Sequence, residues 1–79
     1  MSKVAIVTGG SRGIGAAISI ALKAAGYTVA ANYAGNDEAA AKFTLETGIK
    51  TYKWSVADYD ACVAGIKQVE TDLGPVAVL

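Results

Sequence analysis

Residues 3–15 of the chain are KVAIVTGGSRGIG, an apolar run rich in β-branched residues followed by glycines at positions 9, 13 and 15. Residues 3–8 have the composition of a strand that is buried on both faces. Beyond them the apolar residues Ile14, Ile18, Leu22 and Ala25 recur at spacings of four and three. This spacing places them on one face of a helix that ends at Gly26. A glycine-rich turn between a buried strand and a helix therefore decides the fold.

Three further strands are predicted downstream of this junction. They are residues 28–33 (TVAANY), residues 50–56 (KTYKWSV) and an apolar strand that begins in VAVL at residues 76–79. Between them lie two further helical segments, so the order is β-α-β-α-β-α-β. This alternation predicts a parallel sheet with right-handed crossovers and helices on both faces.

Capping residues mark the two later helices. Asn36 or Asp37 is placed to cap a helix that runs to about Thr47. Asp58 is placed to cap the last helix, which ends where glycine and proline follow each other at positions 74 and 75. The last strand is still in progress at Leu79, so we expect the chain to be the N-terminal part of a single longer domain.

Composition excludes several classes of function. Seven basic and seven acidic residues cancel in a chain of 79 residues, which gives no electrostatic basis for binding nucleic acid or an anionic membrane. Cys62 is the only cysteine and histidine is absent, so neither an internal disulfide nor a cysteine-based metal site is expected. No apolar run is long enough to span a bilayer, and no secretory leader is recognisable, which favours a cytoplasmic location.

The glycine loop has the features of an anion site. In a parallel α/β sheet, ligands bind at the carboxyl ends of the strands, and a helix that begins there directs unpaired N–H groups at the ligand. Gly9 is expected to allow the tight turn, Gly13 to let a pyrophosphate approach the backbone, and Gly15 to let the helix pack closely. The P-loop alternative is rejected, because Ala16 and Ala17 stand where that motif requires lysine and a hydroxyl residue.

The end of the second predicted strand indicates which dinucleotide binds. An NAD site usually has an acidic residue there, whereas Asn32, Tyr33 and Ala34 are uncharged. Arg12 is long enough to reach a 2′-phosphate, and Asn32 and Asn36 can add neutral donors. NADP(H) is therefore predicted over NAD(H); the alternative for Arg12 is a solvated loop residue.

The glycine loop and the segments around it resemble those of the short-chain dehydrogenase/reductase family. Residues 8–15 (TGGSRGIG) match its T-G-x-x-x-G-x-G pattern, and the resemblance continues through residues 32–36 (NYAGN) to residues 74–79 (GPVAVL). It implies a Rossmann-type doubly wound parallel sheet. The implied cofactor contacts, with Asn32 added from the argument above, are Gly9, Ser11, Arg12, Gly13, Ile14, Gly15, Asn32, Tyr33, Ala34, Gly35, Trp54, Ser55 and Val56. Ser55 departs from the family, which usually has Asp there, and Trp54 can equally pack against the neighbouring helix.

The resemblance also implies an activity. It is the NADPH-dependent reduction of a 3-oxoacyl thioester: acetoacetyl-CoA to (3R)-3-hydroxybutyryl-CoA in bacterial polyhydroxybutyrate synthesis, by a homotetramer. The family's catalytic Ser and its Tyr-x-x-x-Lys pair have no counterpart in the chain, since none of its tyrosines has a lysine four residues later. Two alternatives stay open: a 3-oxoacyl-carrier-protein substrate of fatty-acid synthesis, and a non-catalytic dinucleotide-binding module or fragment.

Overall fold

The computed structural model describes residues 3–11 and 13–78, which form a parallel four-stranded sheet flanked by three helices. In chain order the elements are β1 (Val4–Thr8), α1 (Gly13–Ala24), β2 (Thr28–Tyr33), α2 (Asp37–Thr47), β3 (Lys50–Lys53), α3 (Tyr59–Leu73) and β4 (Val76–Val78). The strand order is β3-β2-β1-β4, and every pairing is parallel. The predicted α/β class, the parallel sheet and the Rossmann-type order are confirmed.

Each face of the sheet carries its own hydrophobic core. One core contains Val4, Ile6, Ala30, Trp54 and Val69 and lies under α3. The other contains Val7, Val29, Ala31, Phe43 and Ile49 and lies under α1 and α2. Successive residues of β1 and β2 point to opposite faces, so each central strand contributes to both cores. This explains why both strands are apolar without alternation.

The apolar residues that predict α1, from Ile14 to Ala25, mark the helix correctly, but most of them do not face the sheet. Ile14 and Ile18 are 81% and 46% exposed, whereas Ser19 is fully buried. Ala16 and Leu22 pack against the core beneath α1 and α2. Small residues on the inner side let α1 lie close to the sheet, and hydrophobic spacing alone cannot reveal such a packing.

Strand β3 is shorter than the sequence predicts. It ends at Lys53, the last residue in register with β2, rather than at Val56. A turn replaces the remaining residues, because the Ser55 carbonyl accepts from the Asp58 N–H at 3.1 Å and the Ser55 hydroxyl accepts from the Ala57 N–H at 3.2 Å. Residues 54–58 thereby form a loop at the carboxyl end of β3.

Both predicted helix caps are present. The Asn36 side chain, rather than that of Asp37, accepts a hydrogen bond from the Ala39 N–H at 3.0 Å and caps α2. Asp58 caps α3 by accepting from the Ala61 N–H at 3.1 Å. Within the part of the chain that the structure describes, no helix has the length and apolar character needed to cross a membrane.

Candidate functional site

A cavity of about 510 Å³ opens at the carboxyl ends of β1 and β2. Its wall consists of the loop between β1 and α1 on one side and the loop between β2 and α2 on the other. The lining residues are Gly9, Ser11, Gly13, Tyr33, Ala34, Gly35 and Asn36. Six of them are residues that the sequence assigns to cofactor binding. Asn36 was expected only as a possible donor and as a cap.

Two glycines of the first loop have a backbone conformation that favours glycine. Gly9 has φ +64° and Gly13 has φ +58°, a region that other residues occupy at a cost. A Cβ atom added at either position would meet no atom within 4 Å. The space beside both glycines is therefore open, and both line the cavity.

Gly15 is predicted to let α1 pack close to the strand, and in the structure its close contact is with the glycine loop. A Cβ atom there would lie 2.0 Å from the carbonyl oxygen of Gly9, which is far shorter than any non-bonded contact between a carbon and an oxygen atom. The loop therefore folds back onto the first turn of α1, which begins at Gly13. This brings the unpaired N–H groups of the helix start to the loop side of the cavity.

Asn32 lies beneath the cavity rather than in its wall. Its side chain is buried, and its amide donates to the carbonyl oxygens of Trp54 at 3.0 Å and Tyr52 at 3.4 Å. The backbone carbonyl oxygen of Asn32 accepts from the Gly10 N–H at 3.1 Å. Asn32, near the end of β2, is thus hydrogen-bonded both to the end of β3 and to the glycine loop that follows β1.

A charged pair lies next to the cavity wall, beside Tyr33. The Tyr33 hydroxyl donates to Asp37 Oδ1 at 3.0 Å, and Lys53 Nζ lies 3.2 Å from the same oxygen. The hydrogen bond to Asp37 raises the pKa of Tyr33, and that hydrogen bond together with Lys53 lowers the pKa of Asp37. Asp37 is therefore ionised at neutral pH, and the cation of Lys53 compensates its charge.

The remaining predicted contacts lie at or beyond the margins of the cavity. The ring of Trp54 is buried against Gly65 of α3, which is the second of the two roles the sequence left open for it. Ser55 and Val56 are exposed in the loop after β3, and Ile14 is exposed on the first turn of α1. Arg12, predicted to bind the 2′-phosphate, lies outside the described residues.

The composition of the wall suits a phosphate-bearing ligand. None of its seven residues carries a charge, and all seven are either small or able to hydrogen-bond through a side chain. Among residues 3–11 and 13–78, no three His, Cys, Asp or Glu side chains come together as a metal site would require. The cradle formed by the glycines fits a dinucleotide held by backbone N–H groups.

Comparison with known proteins places this geometry in a family. Residues 3–79 match the family model described as short chain dehydrogenase. The chain is 85% identical to an acetoacetyl-CoA reductase of Paracoccus denitrificans and 73% identical to one of Shinella zoogloeoides, in each case over all 79 residues. It is 43% identical to a 3-oxoacyl-[acyl-carrier-protein] reductase of Staphylococcus aureus. The chain spans about a third of the length of these relatives, 33% or 34% in each case.

Solved structures agree with this assignment. A short-chain dehydrogenase/reductase from Sinorhizobium meliloti superposes with a TM-score of 0.90 at 31% identity, covering 99% of this chain and 38% of that one. A metagenomic blue fluorescent protein in complex with NADPH superposes with a TM-score of 0.85 at 37% identity, covering 94% of this chain and 33% of that one. BdcA in complex with NADPH gives a TM-score of 0.76 at 38% identity, covering 84% of this chain and 27% of that one.

Proposed function

This chain belongs to the short-chain dehydrogenase family, and we propose that it is the cofactor-binding part of an NADPH-dependent reductase of 3-oxoacyl thioesters. The observation that carries the proposal is the cavity walled by Gly9, Ser11 and Gly13 on one side and by residues 33–36 on the other. The residues proposed to hold the pyrophosphate are those of the glycine loop. When bound, NADPH supplies the hydride that reduces a ketone to a secondary alcohol.

The preference for NADPH rests on charge at the end of β2. The residues that line this side of the cavity are neutral, and the nearby Asp37 is paired with Lys53. An unpaired carboxylate would repel a 2′-phosphate, whereas a carboxylate paired with a lysine repels it much less. Arg12 is proposed as the loop's cationic contact to that phosphate. Two structurally similar proteins are in complex with NADPH, which supports the same choice.

The β3 end of the site is proposed to meet the adenine. Ser55 and Val56 are exposed there, while the Trp54 ring is occupied by its contact with α3. The Ser55 hydroxyl already accepts a hydrogen bond from the Ala57 N–H, and it retains a proton with which to donate to the base.

The substrate is proposed to be acetoacetyl-CoA, reduced to (3R)-3-hydroxybutyryl-CoA for polyhydroxybutyrate synthesis in the cytoplasm. The support is the 85% and 73% identity to two acetoacetyl-CoA reductases, against 43% for a 3-oxoacyl-[acyl-carrier-protein] reductase. The proton donor and the groups that orient the ketone are proposed to lie outside these 79 residues, in a full-length protein that forms a homotetramer.

The test begins with titration of the full-length protein that carries this chain with NADPH and NADH, followed by nicotinamide fluorescence. Tighter binding of NADPH is expected, and equal or tighter binding of NADH would contradict the cofactor assignment. Steady-state oxidation of NADPH is then compared with acetoacetyl-CoA and an acetoacetyl-carrier protein as substrates. A higher kcat/KM for the CoA thioester is expected; the reverse order favours the fatty-acid reductase.

A pair of glycine variants links the cofactor to the cavity. Gly9→Ala and Gly26→Ala both place a Cβ in open space at positive φ, +64° and +100°, but only Gly9 lines the cavity. Each is expected to cost about 1–2 kcal/mol of stability through backbone strain. Only Gly9→Ala is expected to weaken NADPH binding, by about tenfold or more, the equivalent of about 1.4 kcal/mol. Equal affinities for the two variants would place the cofactor elsewhere.

A further inference from the structure

A buried hydroxyl group lies directly beneath the glycine loop. Ser19, in the middle of α1, is fully buried, and among the described residues only Asn32 is a second buried polar side chain. The Ser19 Oγ atom is 3.0 Å from the carbonyl oxygen of Gly15 and 3.0 Å from that of Gly10. The first contact is the local bond that a serine in a helix commonly makes to the residue four positions earlier. The second reaches out of the helix into the loop, and the single hydroxyl proton is shared between the two carbonyl oxygens.

With this second contact, both backbone polar groups of Gly10 are hydrogen-bonded. Its carbonyl oxygen accepts from Ser19, and its N–H donates to the Asn32 carbonyl oxygen at 3.1 Å. The side-chain amide of Asn32 in turn donates to the Trp54 carbonyl oxygen at 3.0 Å. A continuous line of hydrogen bonds therefore runs from α1 through the loop to β2 and on to the end of β3, below the cavity.

Gly10 and Ser19 also match each other in shape. A Cβ atom at Gly10 would lie 2.7 Å from Ser19 Oγ and 2.7 Å from the carbonyl oxygen of Val7. The loop can approach the hydroxyl closely only because position 10 has no side chain. Gly10 is itself buried, so its carbonyl oxygen would have no access to water if the hydroxyl were absent.

We propose that Ser19 is a positioning residue for the loop that binds the pyrophosphate. It sets the orientation of Gly10, and hence of Gly9 and Ser11, which flank Gly10 and line the cavity. The inference rests on the proposed function, since it assigns the loop to a dinucleotide. NADPH and NADH share the pyrophosphate, so loss of the hydroxyl weakens binding of both by the same factor and leaves the preference between them unchanged.

The first measurement is cofactor affinity of the Ser19→Ala variant in the full-length protein, well below its unfolding temperature. The dissociation constants for NADPH and NADH are both expected to rise about five- to thirtyfold, the effect of losing one buried hydrogen bond. Leu22→Ala is the matched control, because it removes packing from the same helix face without touching the loop. It is expected to lower stability and leave both constants unchanged. Wild-type affinity in Ser19→Ala overturns the proposal.

The second measurement is amide hydrogen exchange without any ligand, which separates this proposal from the proposed function. Faster exchange is expected at Gly10 and Ser11 in Ser19→Ala, but not in the Leu22→Ala control. Unchanged exchange at these amides refutes the positioning role even if both cofactors bind. Failure of the wild-type protein to bind either cofactor refutes the proposed function instead. Ser19→Cys, which keeps a weaker donor, replaces the alanine variant if that variant does not fold, and its loop amides are expected to exchange faster than those of wild type.

Discussion

Replacing Gly65 by alanine is expected to destabilise the protein although alanine is the better helix former. Gly65 lies within α3, directly over the indole ring of Trp54. A Cβ atom at this position would lie 2.3 Å from Cε3 and 2.5 Å from Cδ2 of the ring. Ordinary contact begins roughly 1 Å farther away, so either the ring or the helix has to move by about that distance.

The size of the loss follows from two opposing terms. Alanine contributes about 0.8–1 kcal/mol relative to glycine in a helix interior, whereas forcing an extra carbon into a packed core costs about 1–3 kcal/mol and sometimes more. The upper part of that range applies here, because the Trp54 backbone is held at both ends. Its N–H donates to the Tyr33 carbonyl oxygen, and its carbonyl oxygen accepts from Asn32, each at 3.0 Å. A net loss of about 1–2 kcal/mol is expected.

The assay is urea unfolding followed by circular dichroism, in a double-mutant cycle with Trp54→Phe. Phenylalanine lacks the fused six-membered ring of the indole, which contains all three of the closest atoms, so Gly65→Ala is expected to cost less in that background. The coupling between the two sites is expected to be about 0.5–3 kcal/mol. A Gly65→Ala protein as stable as wild type, or an equal loss in both backgrounds, would refute the packing argument.

Trp54→Phe is also expected to leave NADPH affinity within about twofold, since the buried ring is not free to stack on adenine.

Three further predictions concern the loop, the charge beside the cavity and alkaline pH. Gly15→Ala is expected to weaken NADPH binding by about tenfold or more in fluorescence titrations, because its Cβ atom would lie 2.0 Å from the Gly9 carbonyl oxygen. Lys53→Gln is expected to raise the dissociation constant for NADPH about two- to fivefold more than that for NADH, because it exposes the charge of Asp37. Asp37→Asn is expected to have the opposite effect, and a uniform change for both cofactors would contradict this assignment. Burial and a hydrogen bond to a carboxylate of α3 raise the pKa of Tyr52 to about 12 from 10.0. The folded protein therefore keeps a proton between those values that the unfolded chain loses, and stability measured by urea unfolding is expected to fall from pH 10.0 to about 12, less steeply in Tyr52→Phe.

The order of elements could be predicted from the sequence because it depends on local signals. Residues 28–33 form the strand that their composition predicts, and Asn36 and Asp58 cap the helices that follow them. The glycine loop could be predicted for the same reason. Positive φ at Gly9 and Gly13 is a local requirement of the turn, and such a requirement is visible in residue type alone.

What the sequence could not predict depends on contacts between distant segments. Position 32 gives an uncharged strand end, but only the structure shows its amide buried against β3. Ser19 lies inside an apolar helix pattern, where a serine is unremarkable until Gly10 is seen against it. The sequence predicts that β3 continues to Val56, but β3 ends at Lys53 because its partner β2 ends at Tyr33. The length of a partner strand cannot be read from the sequence of the strand that pairs with it.

The placement of the buried polar groups suggests that the loop is formed before any ligand arrives. Elsewhere the described cores are apolar, yet Ser19 and Asn32 are both buried, and both hydrogen-bond Gly10. Burying a polar group is unfavourable unless it is hydrogen-bonded. The Ser19 hydroxyl is bonded to the loop itself, and the Asn32 side chain is bonded to the end of β3 while its backbone carbonyl oxygen accepts from Gly10, so both residues favour one arrangement of the loop. A loop already held in its binding conformation loses little entropy when a dinucleotide binds. The glycines would otherwise make this segment flexible, and the hydrogen bonds beneath it reconcile that freedom with a defined site.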